Sequence, residues 1–421
     1  STKSSLCFFI SCIKYFRMKK LRLFHAIVTL LAISLGSCSH QLSNSNDKYV
    51  VMLSMDGFRW DYPERVETPN LDKIAKTGVR AKSLKPSFPT KTFPNHYSMA
   101  TGLYPDHHGL VHNTFPDPET GRTYGIGIPE TRGDKYFYGG EPIWITAEKQ
   151  GIITGSYFWV GSDVDGLHPT YWKPYDQDFP YEQRIDSVIA WLQKPEDIRP
   201  HLITWYFPEP DITGHDEGPE SEAIDSLIIE LDRYVGIFLD KLEELPIYED
   251  INVIVTSDHG MATISDDKVI QLNEILPDSI VITYSGSNPV FSIDVVDEYE
   301  ALAMELLSAN ENLQVWRTGE VPERLNYGTN PRTLDIVVAA KLHWSVYTNY
   351  ERGYSSKGTH GFDNDELDMH AIFYAFGPDF KENATAPTFE NVSLYALIAE
   401  ILDLEPAETD GKTEQITPLL K

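Results

Sequence analysis

The chain has 421 residues, 41% of them hydrophobic and 12% aromatic, which is ample for a large core. Its formal charge is −28, and setting aside the six basic side chains of residues 1–37 takes it to −34. That charge argues against long nucleic acid as a partner, because such affinity comes from basic surface. Cys7, Cys12 and Cys38 are the only cysteines, so the body beyond residue 38 can hold no disulfide, thiolate nucleophile or cysteine-ligated metal.

The N-terminal stretch reads as a processing segment. Met18-Lys19-Lys20-Leu21-Arg22 is a basic start, Leu23 to Leu35 is an apolar run short for a membrane span, and Leu35-Gly36-Ser37-Cys38 is similar to a bacterial lipoprotein box. The expectation is an upstream extension plus signal over 1–37, a lipidated Cys38 and a polar linker over 38–48. The protein is then a lipoprotein of the bacterial cell envelope, periplasmic or attached to the outer membrane. An uncleaved anchor helix is the alternative.

Tyr49 to Met55 is a continuous apolar run, as in a buried parallel strand. Helices are predicted at Asn70–Lys76, stopped by Gly78, and at Thr92–Ala100, stopped near Gly102. Tyr181–Leu192 is amphipathic, and His201–Phe207 is a strand candidate. Ser221–Leu245 is the strongest helix: apolar residues recur at helical spacing from Ile224 to Leu242, with Glu230, Asp232, Arg233 and Asp240 facing out. Ile251–Thr256 returns to strand. Residues 266–352 change character, with strands expected at Ile280–Thr283, Val290–Asp294, Leu313–Arg317 and Leu334–Ala340 and a helix at Glu298–Ser308. Met369–Phe376 resumes the main sheet and Val392–Leu402 closes it. The alternation implies a doubly wound, mostly parallel α/β sheet flanked by helices over 49–265 and 353–421, with a smaller α+β insertion over 266–352.

Potential ligands cluster where strands should end. They are Asp56, Asp211, His215, Asp258, His259 and His360. Three carboxylates and three imidazoles can hold two divalent ions, and mixed nitrogen and oxygen ligation suits zinc. Two hydroxyls, Thr90 and Thr92, lie in Pro89-Thr90-Lys91-Thr92-Phe93-Pro94-Asn95-His96-Tyr97. A paired metal site beside an activated hydroxyl suits in-line displacement at phosphorus. Taken singly, each ligand could equally be a cap, turn or solvated residue. The remaining histidines, His96 among them, read as packing or surface residues.

Several segments resemble nucleotide pyrophosphatase/phosphodiesterases of the alkaline phosphatase superfamily. They are Met55-Asp56-Gly57-Phe58, Lys91-Thr92-Phe93-Pro94-Asn95-His96-Tyr97, Thr101-Gly102-Leu103-Tyr104-Pro105, Pro210-Asp211 with Gly214-His215 and Gly218-Pro219, Ser257-Asp258-His259-Gly260-Met261, and His360-Gly361, in family order from about residue 50 onward. Trp159-Val160-Gly161-Ser162 departs from a family loop in having Val160 for proline.

The resemblance implies two zinc ions, one on Asp211, His215 and His360, the other on Asp56, Asp258 and His259 with the Thr92 hydroxyl. It implies Thr92 as nucleophile, since the nucleophile directly precedes Phe-Pro-Asn, and Asn113 as a stabiliser of phosphoryl oxygens. Phe93, Tyr175 and Tyr206 would sandwich a nucleotide base, and nucleotides would be cleaved to 5′-nucleotides through a phosphothreonine. The same rings could instead line a slot for a lipid headgroup such as a glycerophosphodiester. Lys91 could touch the substrate phosphate or be solvated. A non-catalytic envelope binding protein is the third reading, and no ligand or nucleophile is lost as that reading would require. No obligate protein partner is inferred.

Overall fold

The computed structural model describes residues 48–350 and 356–421. The expectations for the signal, Cys38 and the linker lie outside these residues. Among the described residues no helix is long and apolar enough to cross a membrane.

The central sheet is built from short, fully buried strands. Strand β1 (Tyr49–Met55) is buried at all seven positions. Helix α1 (Pro69–Thr77) and strand β2 (Val79–Ala81) follow. Then come α2 (Thr92–Thr101), α3 (Ile143–Lys149), β3 (Thr154–Tyr157), β4 (Tyr171–Lys173) and α4 (Tyr181–Leu192). Strand β5 (Leu202–Phe207) leads into α5 (Asp211–Glu217) and the long α6 (Glu222–Glu243), and β6 is Ile251–Thr256.

Strands β7 (Val281–Ser287) and β8 (Val290–Val295), helix α7 (Glu300–Ser308), and strands β9 (Leu313–Arg317) and β10 (Ile336–Ala340) come next. Strands β11 (Phe373–Phe376) and β12 (Ala384–Ala386) and helix α8 (Ser393–Ile401) complete the larger elements.

Eight strands form the main sheet in the order β12-β2-β11-β6-β1-β5-β3-β4. All neighbours are parallel except around β11, which runs against both β6 and β2. Continuous apolar runs in β1, β5 and β6 match a sheet covered on both faces. Alternate residues of β1 feed two separate cores. Tyr49, Val51, Leu53 and Met55 pack with α6 residues such as Leu231 and Phe238, while Val50 and Met52 pack with Trp144 and with Leu394 and Leu397 of α8.

Strands β7-β8-β10-β9 form a second, antiparallel four-stranded sheet with its own apolar cluster. Its β7–β8 turn, carrying Asn288, reaches back to the Thr92 segment, where the Lys91 Nζ donates to the Asn288 carbonyl at 2.6 Å.

One sequence expectation needs correction. Asp232 was expected to face solvent from α6, but it is buried. It accepts from the Asn70 and Leu71 backbone N–H groups at 3.1 and 2.9 Å and so caps α1. Asp211 and His215 follow the end of β5 on the short helix α5, Asp211 in its first turn and His215 in its last, an i,i+4 pair on one helical face.

Candidate active site

Parallel strands β1, β5 and β6 place their C-terminal ends side by side, and the candidate ligands emerge there. Asp56 directly follows β1, and its carbonyl accepts the Asp211 N–H at 2.9 Å, which ties α5 to the end of β1. Asp258 and His259 follow β6, while His360 follows the short Gly358–Thr359 strand.

The side chains converge in two triads. Asp211, His215 and His360 form one set and Asp56, Asp258 and His259 the other, each with ligand atoms within 4.8 Å of one another. In the first, Asp211 Oδ1 lies 3.5 Å from both His215 Nε2 and His360 Nε2. In the second, His259 Nε2 lies 3.4 Å from Asp56 Oδ1 and 3.0 Å from Asp258 Oδ2. The His259 and His360 rings stack at 3.6 Å, so the triads abut.

The residues fit metal ions on three independent counts. Asp56 Oδ1, Asp211 Oδ1 and Asp258 Oδ2 are buried oxygens without a hydrogen-bond partner, an expensive state unless a cation faces them. Each imidazole is oriented from behind. The Nδ1 groups of His215, His259 and His360 contact the carbonyls of Gly358, Gly260 and Thr90 at 2.8, 2.9 and 2.7 Å. A carbonyl can only accept, so Nδ1 carries the proton and each Nε2 lone pair points into the cluster.

The electrostatics agree. Burial, then the charges of Asp258 and Asp211, push the Asp56 carboxyl well above its ordinary range, as expected of carboxylates crowded without counter-ions. Burial and then its histidine and lysine neighbours hold His360 well below the ordinary range, leaving it the neutral imidazole a metal requires.

Thr92 opens α2, and its Oγ1 lies 3.2 Å from His259 Nε2. Thr90 is differently employed. Its hydroxyl is buried, donates to the Phe362 carbonyl at 3.2 Å and accepts from the Gly361 N–H at 2.8 Å. Thr90 therefore grips the His360 segment, while Thr92 faces the triads.

A family model described as type I phosphodiesterase/nucleotide pyrophosphatase matches residues 50–363. The chain belongs to this family. Human ectonucleotide pyrophosphatase/phosphodiesterase family member 1 is 37% identical to it over 385 residues, which is 88% of this chain and 42% of that relative. Naja atra venom phosphodiesterase is 34% identical over 88% of this chain and 46% of its own length, so the chain spans less than half of either relative. Human family member 5 is 33% identical over 93% of this chain and 81% of its own length. The solved structure of mouse ectonucleotide pyrophosphatase/phosphodiesterase 5 superposes with a TM-score of 0.84 at 35% identity, covering 89% of this chain and all of that one. An inactive threonine-to-alanine variant of that mouse protein, in complex with AMP, gives the same TM-score at 34% identity. The fold is thus alkaline-phosphatase-like, with a central, mostly parallel sheet.

In this chain, Asn113 sits beside the start of α2. Its Oδ1 accepts the Phe93 N–H at 3.1 Å, which turns the Asn113 amide donors away from that bond. The Phe93 N–H is thereby used to orient Asn113. Tyr206 does more than present a ring face. Its hydroxyl donates to Asp56 Oδ2 at 2.6 Å, and its ring lies 6.1 Å from Tyr175. Phe93 is half-buried and packs one side against the cluster containing Phe88 and Tyr97.

Lys91 is not the solvated side chain that was one of its two expected placements. It is buried, and its Nζ donates to the carbonyls of Asn288 and His360 at 2.6 and 2.7 Å. Burial lowers its pKa to about 7, opposed by the charge of Asp211. Lys91 therefore straps the β7–β8 turn to a ligand segment.

Sequence reasoning missed His96. The ring is fully buried, with Nδ1 3.0 Å from the Thr92 carbonyl and 3.2 Å from Asp258 Oδ2, and Nε2 2.9 Å from Ser54 Oγ. Its i,i+4 spacing from Thr92 on α2 was the one signal that could have found it.

Proposed function

We propose that this protein is a two-zinc phosphodiesterase that hydrolyses nucleotide phosphodiester or phosphoanhydride bonds and releases 5′-nucleotides through a phosphothreonine at Thr92. The observation that carries the reading is the Thr92 hydroxyl, 3.2 Å from His259 Nε2, at the junction of two triads whose carboxylate oxygens lack partners. Asp56, Asp258 and His259 would hold one ion beside Thr92, and Asp211, His215 and His360 the other. When bound, the ions supply Lewis acidity at the phosphoryl group and lower the pKa of a neighbouring hydroxyl.

The chain's own residues do the rest. Thr92 Oγ1 gives up its proton to solvent, attacks phosphorus and displaces the alcohol or phosphate leaving group, while Asn113 donates to the oxygens on which charge builds; water then cleaves the threonine ester and frees the 5′-nucleotide. Tyr206 holds Asp56 while its ring and that of Tyr175 offer stacking surface. Support for a nucleotide comes from the family name and from the mouse relative's complex with AMP. The catalytic body would comprise 49–265 and 353–421 with an insertion over 266–352, exported as a lipoprotein anchored at Cys38 in the bacterial envelope.

The test is Thr92→Ala. Turnover of a nucleotide diester should fall by at least a thousandfold while metal analysis still finds two ions per chain. An unchanged rate would return the reaction to Thr90 or to direct attack by water. A wild-type protein faster on a lipid diester than on a nucleotide diester would favour the lipid-headgroup reading.

A further inference from the structure

Arg184, on α4, is fully buried yet pairs with no carboxylate among the described residues. A buried guanidinium normally finds a carboxylate, so its actual partners are informative. All are backbone oxygens. Nε donates to the Phe179 carbonyl at 2.9 Å, Nη1 to Tyr206 at 2.9 Å, and Nη2 to Asp176 and Gln177 at 3.2 and 2.9 Å. Three of these carbonyls belong to the stretch directly after Tyr175, whose residues 172–178 are exposed. The fourth belongs to Tyr206 itself.

Phe158 completes the arrangement. It carries a left-handed backbone, φ 73°, unusual for a bulky aromatic residue. Its ring lies 4.9 Å beneath the Arg184 guanidinium and edge-on to Tyr175 at 5.5 Å. From Phe158 the contacts run through Tyr175 and Tyr206 to Asp56.

We infer that Arg184 is a specificity-determining positioning residue: it locks the exposed Tyr175 segment to Tyr206 and so fixes the aromatic stacking face that Tyr175 presents beside the candidate catalytic centre. The inference rests on the nucleotide reading and says how that substrate class is selected. A rigid stacking face favours a flat, neutral ring system, whose stacking needs that face held in place. The charge adds a second effect. The buried Arg184 cation lies over Phe158, behind Tyr175, and that charge opposes a quaternary ammonium group at the Tyr175 face, where an aromatic ring without a cation behind it would attract one.

Three esters sharing a p-nitrophenolate leaving group isolate the stacking face from the chemistry: those of thymidine 5′-monophosphate, methyl phosphate and phosphocholine. In Arg184→Gln, KM for the thymidine ester should rise about tenfold, the loss of part of one stacking interaction. Its kcat should change less than threefold, the methyl ester should lose no more than about twofold in kcat/KM, and the phosphocholine ester should gain, as estimated from ring and charge effects of this size. Arg184→Lys keeps the charge but not the four-carbonyl fork. It should raise the thymidine ester's KM without improving the phosphocholine ester, and it decides the matter alone where the glutamine variant does not fold. A parallel fall on all three esters, or an unchanged thymidine ester KM in Arg184→Lys, overturns the inference. A wild-type preference for phosphocholine would remove the nucleotide reading, while the thymidine-to-methyl ratio in the variants still judges Arg184.

Discussion

At the residue scale the site depends on neighbours that are not ligands. Gly57 follows Asp56, donates to Asp258 Oδ1 at 3.2 Å and adopts φ 69°. A Cβ there would lie 2.9 Å from Asp211 Cα and 3.2 Å from Asp211 Oδ1. Only glycine combines that backbone with that proximity. Gly57→Ala should cost about 1–2 kcal/mol in stability and displace Asp211. Metal analysis should then find about one ion per chain in place of two, and full occupancy would refute the account. His108 makes a second case. Its Nδ1 accepts the Leu110 N–H at 3.1 Å and its Nε2 lies 3.2 Å from the Pro94 carbonyl, a pattern that fits only the neutral ring. Burial lowers its pKa to about 3. The unfolded chain therefore binds a proton near pH 6.5 that the native chain refuses, so stability falls with acidification from about pH 6.5 to about pH 3. Between pH 7 and pH 5 this amounts to about 2 kcal/mol. His108→Gln should lose that much of the pH dependence in urea titrations, measured as the difference from wild type. The convergence of the candidate ligands was legible because motifs carry them. His96, Phe158 and Arg184 were not, because their partners are distant in the chain and no spacing announces them.

Most of the long elements could be read from pattern. Continuous apolar runs gave β1 and β6 to the residue, and helical periodicity gave α4 and α6 to within two residues at each end. The short strands β2, β3, β4 and β12 were missed, because runs of three or four residues carry no period. The more instructive failure is Asp232. Amphipathic reasoning places every charge of a helix on its wet face, but a second helix can present unsatisfied N–H groups that require a buried acceptor. Asp232 meets the N-terminus of α1 in this way, and Asn70 Nδ2 adds a bond to its Oδ2 at 2.8 Å. Asp232→Ala should therefore destabilise the fold by about 2–4 kcal/mol, more than an exposed aspartate would. A urea midpoint within error of wild type would mean that α1 finds another cap. Activity at saturating substrate should survive while the protein stays folded, since α1 holds no ligand.

At the scale of the whole molecule, the candidate centre fastens distant parts of the chain together. Asp56 follows β1, Asp211 and His215 ride on α5, Asp258 and His259 follow β6, and His360 arrives after the second sheet has been made. Lys91 and Thr90 then bind the His360 segment to the start of α2, and Lys91 also holds the Asn288 turn of the second sheet. The sequence motifs implied the convergence but could not show that both sheets share these fastenings. Without cations, three carboxylates are left crowded at the point where the strands meet, and Asp56 is already pushed toward its neutral form by burial and by its neighbours. Metal binding should thus be coupled to global stability and not to activity alone. Ions held at a thousandfold over their dissociation constants contribute about 4 kcal/mol per site, so complete removal by a chelator should lower the melting temperature by about 5–10 °C or more. Zinc added back should restore it, as followed by scanning fluorimetry on a sample whose metal content is measured at each stage. Magnesium should not, because it favours six oxygen ligands over a site rich in imidazole. A melting temperature indifferent to verified metal loss would show that the protein fastenings around Lys91 and Thr90 hold the two sheets without the ions.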